Sequence, residues 1–252
     1  MQDYHEGLGT VYERFMLNRL FDKLLSRHGF KSVLETPIGG MVGVPGINSV
    51  FLARKGCTVT INDTDRKRLE AVKMVLAELG DSIRAELVDI ASLPYPDSSF
   101  DLVWNFGVLW NYKNSDSLIS EMARVSRKHV LIFIPNRIQF AYPLRRYVLE
   151  RGRFRKLNLE WIKFGRVKRE LRKSGLRIIR TGVIDSPPWP DIAMAKEEIT
   201  GKKPKRRWSM MDYLKGDKSM GECIRYSFFE SLPLPQLIKL PVSHHRFILA
   251  EK

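Results

Sequence analysis

Glu35 closes a short apolar run, Ser32 to Thr36, and the next ten residues hold four glycines, Gly39, Gly40, Gly43 and Gly46. Glycine lets a backbone come close to a ligand because no Cβ stands in the way. Asn48 to Lys55 then repeats apolar residues at helical spacing, and Gly56 follows where a helix-ending glycine belongs. A helix starting at that point offers unpaired N–H groups beside the loop. Val59-Thr60-Ile61 is β-branched and reads as a strand running into Asn62-Asp63-Thr64-Asp65. A carboxylate at such a strand tip can accept both hydroxyls of a ribose. These residues suit an adenosine-type ligand. A dinucleotide is disfavoured: no G-x-G-x-x-G triplet is present, and Glu35 in front of the loop would repel a pyrophosphate. Glu35 suits a cationic group instead, such as the amino group of a methionine moiety.

The surrounding pattern supplies the scaffold. Val11 to Arg27 carries apolar residues at intervals of three and four and predicts an amphipathic helix ahead of the first strand. Arg66 to Leu79 predicts a helix stopped by Gly80, and Arg84 to Ile90 a third strand ending in Asp89-Ile90. Phe100 to Asn105 reads as a fourth strand. Ser115 to Arg127 reads as a helix with Ser115 as N-cap, and His129 to Pro135 as a continuous apolar strand fit for the middle of a parallel sheet. Strand and helix alternate from residue 32 to 136, which specifies an α/β doubly wound sheet. Ligands sit at the carboxyl ends of its strands, where Glu35, Asp63, Asp89 and Asn105 all fall.

The acid-then-glycine loop, with Asp63 ending the next strand, resembles the first motifs of class I S-adenosylmethionine-dependent methyltransferases. Pro37 departs from that pattern, standing where the first glycine is expected, and the loop is longer. Leu93 to Val103 (LPYPDSSFDLV) resembles the branch that includes ubiquinone and menaquinone methylases. In that branch a G-V-L-H-H run often follows; here it is Gly107 to Asn111, GVLWN, without the histidines. The resemblance implies a mostly parallel seven-stranded Rossmann-like sheet with an antiparallel last strand, and S-adenosylmethionine as cofactor. It implies that Glu35, Gly39, Gly40, Gly43, Gly46, Asp63 and Thr64 bind the cofactor. Asp89 and Ile90 would take its adenine, and Asn105 and Phe106 its methionine end. It also implies an N-terminal segment folded over the cofactor.

Four segments are expected: a helical stretch 1–31, the cofactor domain 32–184, a substrate cap 185–244 and a final strand 245–252. Glu160 to Lys173 predicts a helix, Leu176 to Ile184 a sixth strand, and His245 to Ala250 its antiparallel partner. The start, MQDYHEGLGT, is polar and reads as no signal peptide, and no apolar run reaches the ~20 residues of a spanning helix. Cys57 and Cys223 propose neither a disulfide framework nor a metal site, and a cytoplasmic location is the default.

The net charge of +15 is one-sided. Residues 1–136 hold 16 Lys/Arg against 16 Asp/Glu, whereas residues 137–252 hold 27 against 12. The second half is the expected contact surface for an anionic partner, RNA or a membrane, unless it is a solvated face. Residues 137–159 interleave Arg145, Arg146, Arg151, Arg153, Arg155 and Lys156 with Phe140, Tyr142, Leu144, Tyr147 and Val148. Lys202 to Arg207 (KKPKRR) adds a basic tract by composition. Trp110 reads either as a wall of the substrate pocket or as core. No catalytic dyad is visible. Tyr4, His5, Asp185, His244 and His245 are candidate bases by location alone. The reading is a methyltransferase acting on a small molecule or lipid/isoprenoid acceptor. An RNA methyltransferase and a non-catalytic module of the same fold are the alternatives.

Overall fold

The structure, a computed structural model, describes residues 5–6, 8–40, 46–189, 191, 208–209 and 220–252. One seven-stranded sheet organises it: β1 Ser32–Glu35, β2 Thr58–Asp63, β3 Arg84–Leu87, β4 Phe100–Phe106, β5 Ser126–Pro135, β6 Arg177–Ile184 and β7 His245–Glu251. The spatial order is β3-β2-β1-β4-β5-β7-β6. Strands β1 to β5 pair in parallel, and β7 pairs antiparallel to both β5 and β6. The predicted last strand is therefore inserted inside the sheet rather than added at its edge.

Side-chain alternation explains why the sheet carries helices on both faces. Leu102, Trp104 and Phe106 of β4, with Leu131 and Phe133 of β5, join one core cluster. That cluster includes α1 Leu8–His28, α2 Val50–Arg54 and α3 Arg66–Leu79. Val103 of β4 and Val130, Ile132 and Ile134 of β5 face the other way, onto α4 Ser115–Val125 and α5 Phe164–Lys173. Asp65 caps α3 by accepting from the Lys67 and Arg68 amides at 2.8 and 3.3 Å, and Gly80 ends it at φ 69°.

Several expectations change in detail. The third strand stops at Leu87, so Asp89 and Ile90 lie in the turn beyond it. Asn114, not Ser115, takes the N-cap position of α4; the Ser115 hydroxyl instead donates to the Leu109 carbonyl at 2.6 Å. The helix expected from Glu160 starts at Phe164, after a 3-10 turn Leu159–Ile162. Trp110 is buried against Tyr142, Phe154 and Ile162, which makes it core.

Of residues 185–244, the described part after residue 219 packs beside α1. Tyr12 donates to Glu230 at 3.1 Å, and Arg19 donates to Ser227 and Ser231 at 3.2 and 3.0 Å. His5–Glu6 pairs antiparallel with Trp208–Ser209. Tyr4, Gly43 and the KKPKRR tract lie outside the described residues.

Candidate functional site

The carboxyl ends of β1, β2 and β4, three adjacent strands, lie side by side. Glu35 is buried at the tip of β1 and accepts from the Ser49 hydroxyl at 2.6 Å. Burial, with the Asp63 charge adding to it and the Ser49 bond opposing it, raises its carboxyl to about 8. Gly40 lies hard against β4: a Cβ there would meet the Phe106 carbonyl oxygen at 1.3 Å. Gly46, at φ 86°, is buried under Ile38, Ile61 and Val72, so it serves helix–sheet packing instead of facing the strand tips.

Asp63 is buried where the sequence places it, at the tip of β2, but its carboxylate is engaged. Arg68 grips both oxygens, Nη2 to Oδ1 at 2.6 Å and Nε to Oδ2 at 3.1 Å, and the Asp65 amide donates to Oδ1 at 2.8 Å. The guanidinium spans from Asp63 to the glycine loop, and a Cβ on Gly39 would lie 3.2 Å from Arg68 Nε. Thr64 sits beside Asp63, and its hydroxyl reaches Oδ1 only at 3.5 Å. Tyr112 completes this corner near Asp63, Arg68 and Thr64, with burial pushing its phenol up. Sequence reasoning missed Arg68 and Tyr112. The available signal was a basic residue in the first turn of the helix that follows the acidic tip.

Some polar atoms at these strand ends lack partners. Thr36 Oγ1, Asn62 Oδ1 and Asn105 Oδ1 are buried without one, on the ends of the same three strands. Asn105 Nδ2 reaches Met122 Sδ on α4 at 3.3 Å and Asn62 Nδ2 reaches the Tyr95 hydroxyl at 3.2 Å, so these two side chains lie on the face of the sheet that carries α4. Phe106 is buried beside Asn105. Asp89 is set apart: it is exposed and accepts from the Ala91 amide at 2.9 Å in its own turn, while Ile90 is buried in the core.

A second polar cluster lies where β6 ends and β7 begins. The structure brings together Asp185, His244 and His245, three of the candidate bases, and adds Glu13, Tyr12 and Glu230, which the sequence did not single out. His244 Nδ1 is 2.9 Å from Asp185 Oδ2, and its Nε2 lies 3.2 Å from the Trp189 carbonyl. Burial alone would lower this imidazole, but the Asp185 carboxylate outweighs it and raises the group to about 9. Burial pushes Asp185 up, and His244 and His245 more than offset it, leaving the carboxyl below its usual range. Glu230, raised to about 7 chiefly by burial, accepts from the Asp185 and Ser186 amides at 3.0 and 2.8 Å. His245 packs against the Phe106 ring, centroids 4.6 Å apart and planes tilted by 58°, which joins this cluster to the tip of β4.

Comparison with known proteins bears on the fold and the family. Residues 41–134 match the family described as "Methyltransferase domain". Methyltransferase GfsG of Streptomyces halstedii is 36% identical over 125 residues, which are 48% of this chain and 42% of that relative. The match thus spans less than half of the curated relative. Among solved structures, a candidate sarcosine dimethylglycine methyltransferase from Galdieria sulphuraria aligns with a TM-score of 0.61 at 14% identity, over 93% of this chain and 84% of its own. Magnesium protoporphyrin IX methyltransferase from Synechocystis PCC 6803, which holds S-adenosylhomocysteine, aligns with a TM-score of 0.56 at 16% identity, over 96% and 84%. The [4+2]-cyclase SpnF shares the fold too, with a TM-score of 0.55 at 18% identity, over 93% and 80%. Residues 41–134 therefore match a methyltransferase domain, and the chain has the fold of the methyltransferase structures aligned above.

Proposed function

We propose that this chain transfers the methyl group of S-adenosylmethionine to a lipid or isoprenoid acceptor reached from an anionic membrane surface. The strand ends suit the cofactor: the acids Glu35 and Asp63 stand at the tips of two adjacent strands, and Gly39 lies against the Arg68 guanidinium that holds Asp63. In this reading Glu35 takes the amino group of the methionine end, where a cation would restore its charge. Asp63 with Thr64 takes the ribose once Arg68 turns aside. Asn105 and Phe106, at the tip of β4, wall the methionine end, whereas Asp89 and Ile90, set apart in their own turn, and the packing glycine Gly46 are left out of the site. Bound S-adenosylmethionine supplies an electrophilic methyl; the protein's share is to orient the acceptor, worth on the order of 7–11 kcal/mol.

The observation that carries the acceptor class is the surface leaving β5 at the same sheet edge. Ile138, Phe140, Leu144, Tyr147, Val148 and Leu149 are exposed there, followed directly by exposed Arg151, Arg153, Arg155 and Lys156. The segment is tied to the end of β4, since the Asn158 amide donates to the Trp110 carbonyl at 2.8 Å. Exposed arginines alone would suit RNA. Exposed aliphatic residues beside them suit a bilayer, whose anionic headgroups and acyl boundary meet both kinds of side chain. Arg145 is excluded from this role, because it is largely buried between Glu150 and Asp191, which pair with it; Arg153 also meets Glu150, at 3.5 Å, but its side chain stays 54% exposed. The resemblance of Leu93 to Val103 to isoprenoid-quinone methylases supports the same acceptor class.

Sedimentation with equimolar phosphatidylcholine/phosphatidylglycerol vesicles, and with phosphatidylcholine alone, tests this. Only the anionic vesicles should bring the protein down, and replacing Arg151, Arg153 and Arg155 by Ala should release it, at about 1 kcal/mol per residue. Binding to a structured RNA but to neither vesicle would replace this reading with the RNA one. Because a cyclase shares the fold, transfer of labelled methyl to extracted lipid is the required activity readout.

A further inference from the structure

Glu13 on α1, Asp185 just beyond β6 and His245 at the start of β7 each bring one ligand atom to within 4.8 Å of the others. His245 Nδ1 lies 3.4 Å from Glu13 Oε2 and 3.6 Å from Asp185 Oδ2. These gaps are long for charge-assisted hydrogen bonds, which run to about 2.9 Å. They match the spacing of two ligands on one cation: bonds of roughly 2.1 Å at a near-tetrahedral angle put the ligand atoms about 3.4 Å apart. A second observation is independent of those distances. Asp185 Oδ1 and His245 Nδ1 are buried with no hydrogen-bond partner, and the Asp185 side chain is only 3% exposed.

The arrangement around Asp185 is that of a held ligand. His244 lies 2.9 Å from its Oδ2, and the Glu230 carboxylate fixes its backbone amide at 3.0 Å. Outer partners of this kind orient metal-binding carboxylates. Its backbone sits at φ 64°, a conformation that a non-glycine residue adopts at a cost and that concentrates at ligand clamps.

We infer that Glu13, Asp185 and His245 form a divalent-cation site beside the methyl-transfer centre. Two carboxylates with one imidazole suit Mn²⁺ or Zn²⁺. The tilted contact of His245 with Phe106 at 4.6 Å sets the site next to the tip of β4. Its role rests on the methyltransferase reading: a cation there would hold the oxygen of a hydroxylated acceptor and ease loss of its proton to water. No spacing in the sequence announced the site, since its ligands come from positions 13, 185 and 245.

Calorimetric titration of the chelator-stripped full chain with MnCl₂ or ZnCl₂, and separately with S-adenosylhomocysteine, tests the inference. One cation should bind per chain. Asp185→Asn and His245→Gln should each weaken that binding at least tenfold while S-adenosylhomocysteine still binds. Asn tolerates a positive φ, so the first variant keeps the backbone. A wild-type chain with no saturable site for either metal, or variants that bind as well as wild type, would overturn the cation site. S-adenosylhomocysteine binding retained in that case would leave the methyltransferase reading intact.

Discussion

Asp101 and Glu35 are buried acids on paired central strands, and they sit at opposite edges of the sheet. Asp101, at the amino edge, accepts from the Lys31 and Ser32 amides at 2.8 and 3.2 Å. It also pairs with Arg127 at 2.9 Å and Lys128 at 3.4 Å. Burial would raise its carboxyl, but those two amides and two cations hold it down at about 2. Glu35, at the carboxyl edge, goes the other way, to about 8, because burial dominates. The amino edge is built to hold itself together. The carboxyl edge keeps an acid that needs a cation to become an anion at neutral pH, next to buried oxygens without partners. Scaffold and site are distinguished here by how completely their polar groups are satisfied.

The sharpest way to break the carboxyl edge is at Gly40. Gly40→Ala would place a Cβ 1.3 Å from the Phe106 oxygen. The loop would have to move, costing roughly 1–3 kcal/mol and abolishing cofactor binding by calorimetry. At the amino edge, Asp101→Asn should cost about 1.5–3 kcal/mol in urea denaturation, the worth of hydrogen bonds to a charged group. The folded carboxyl lies below its unfolded value, so its contribution is full above pH ~4. It is lost as pH falls through about 2, and the variant should lack that acid-limb slope. Glu35→Gln should act with the opposite sign. The raised folded carboxyl contributes fully below pH ~4.3 and loses its contribution as pH rises through about 8. The variant should therefore be more stable than wild type at pH 8 to 9, by about 1 kcal/mol. The two should converge near pH 4, as thermal melts across that range would show.

The sequence made the scaffold legible for a physical reason. A strand buried on both faces has to be apolar throughout, so His129 to Pro135 declares itself, and helices with an apolar stripe and a glycine stop do the same. Glu35 and Asp63 were legible because a strand–turn–helix unit fixes where its acids stand. Arg68 was not, because an arginine in a first helical turn looks the same whether it faces water or reaches back to Asp63 at 2.6 Å. Asp89 shows the reverse case: an acid at an expected strand end caps its own turn because β3 stops at Leu87. Glu13, Asp185 and His245 meet only through the return of β7 between β5 and β6, a tertiary fact that no local pattern encodes.

The central claim, that the adjacent strand ends bind S-adenosylmethionine through the acids Glu35 and Asp63, is tested most directly by calorimetry. Wild type, Asp63→Ala and Glu35→Gln would each be titrated with S-adenosylmethionine at pH 7. Wild type should bind one cofactor per chain. Asp63→Ala should bind roughly ten- to a hundredfold more weakly, the equivalent of about 1.5–3 kcal/mol for a lost bond to a charged acceptor. Glu35→Gln should weaken binding by a smaller factor. Unchanged affinity in a folded Asp63→Ala variant, or no binding by the wild-type chain, would contradict the assignment.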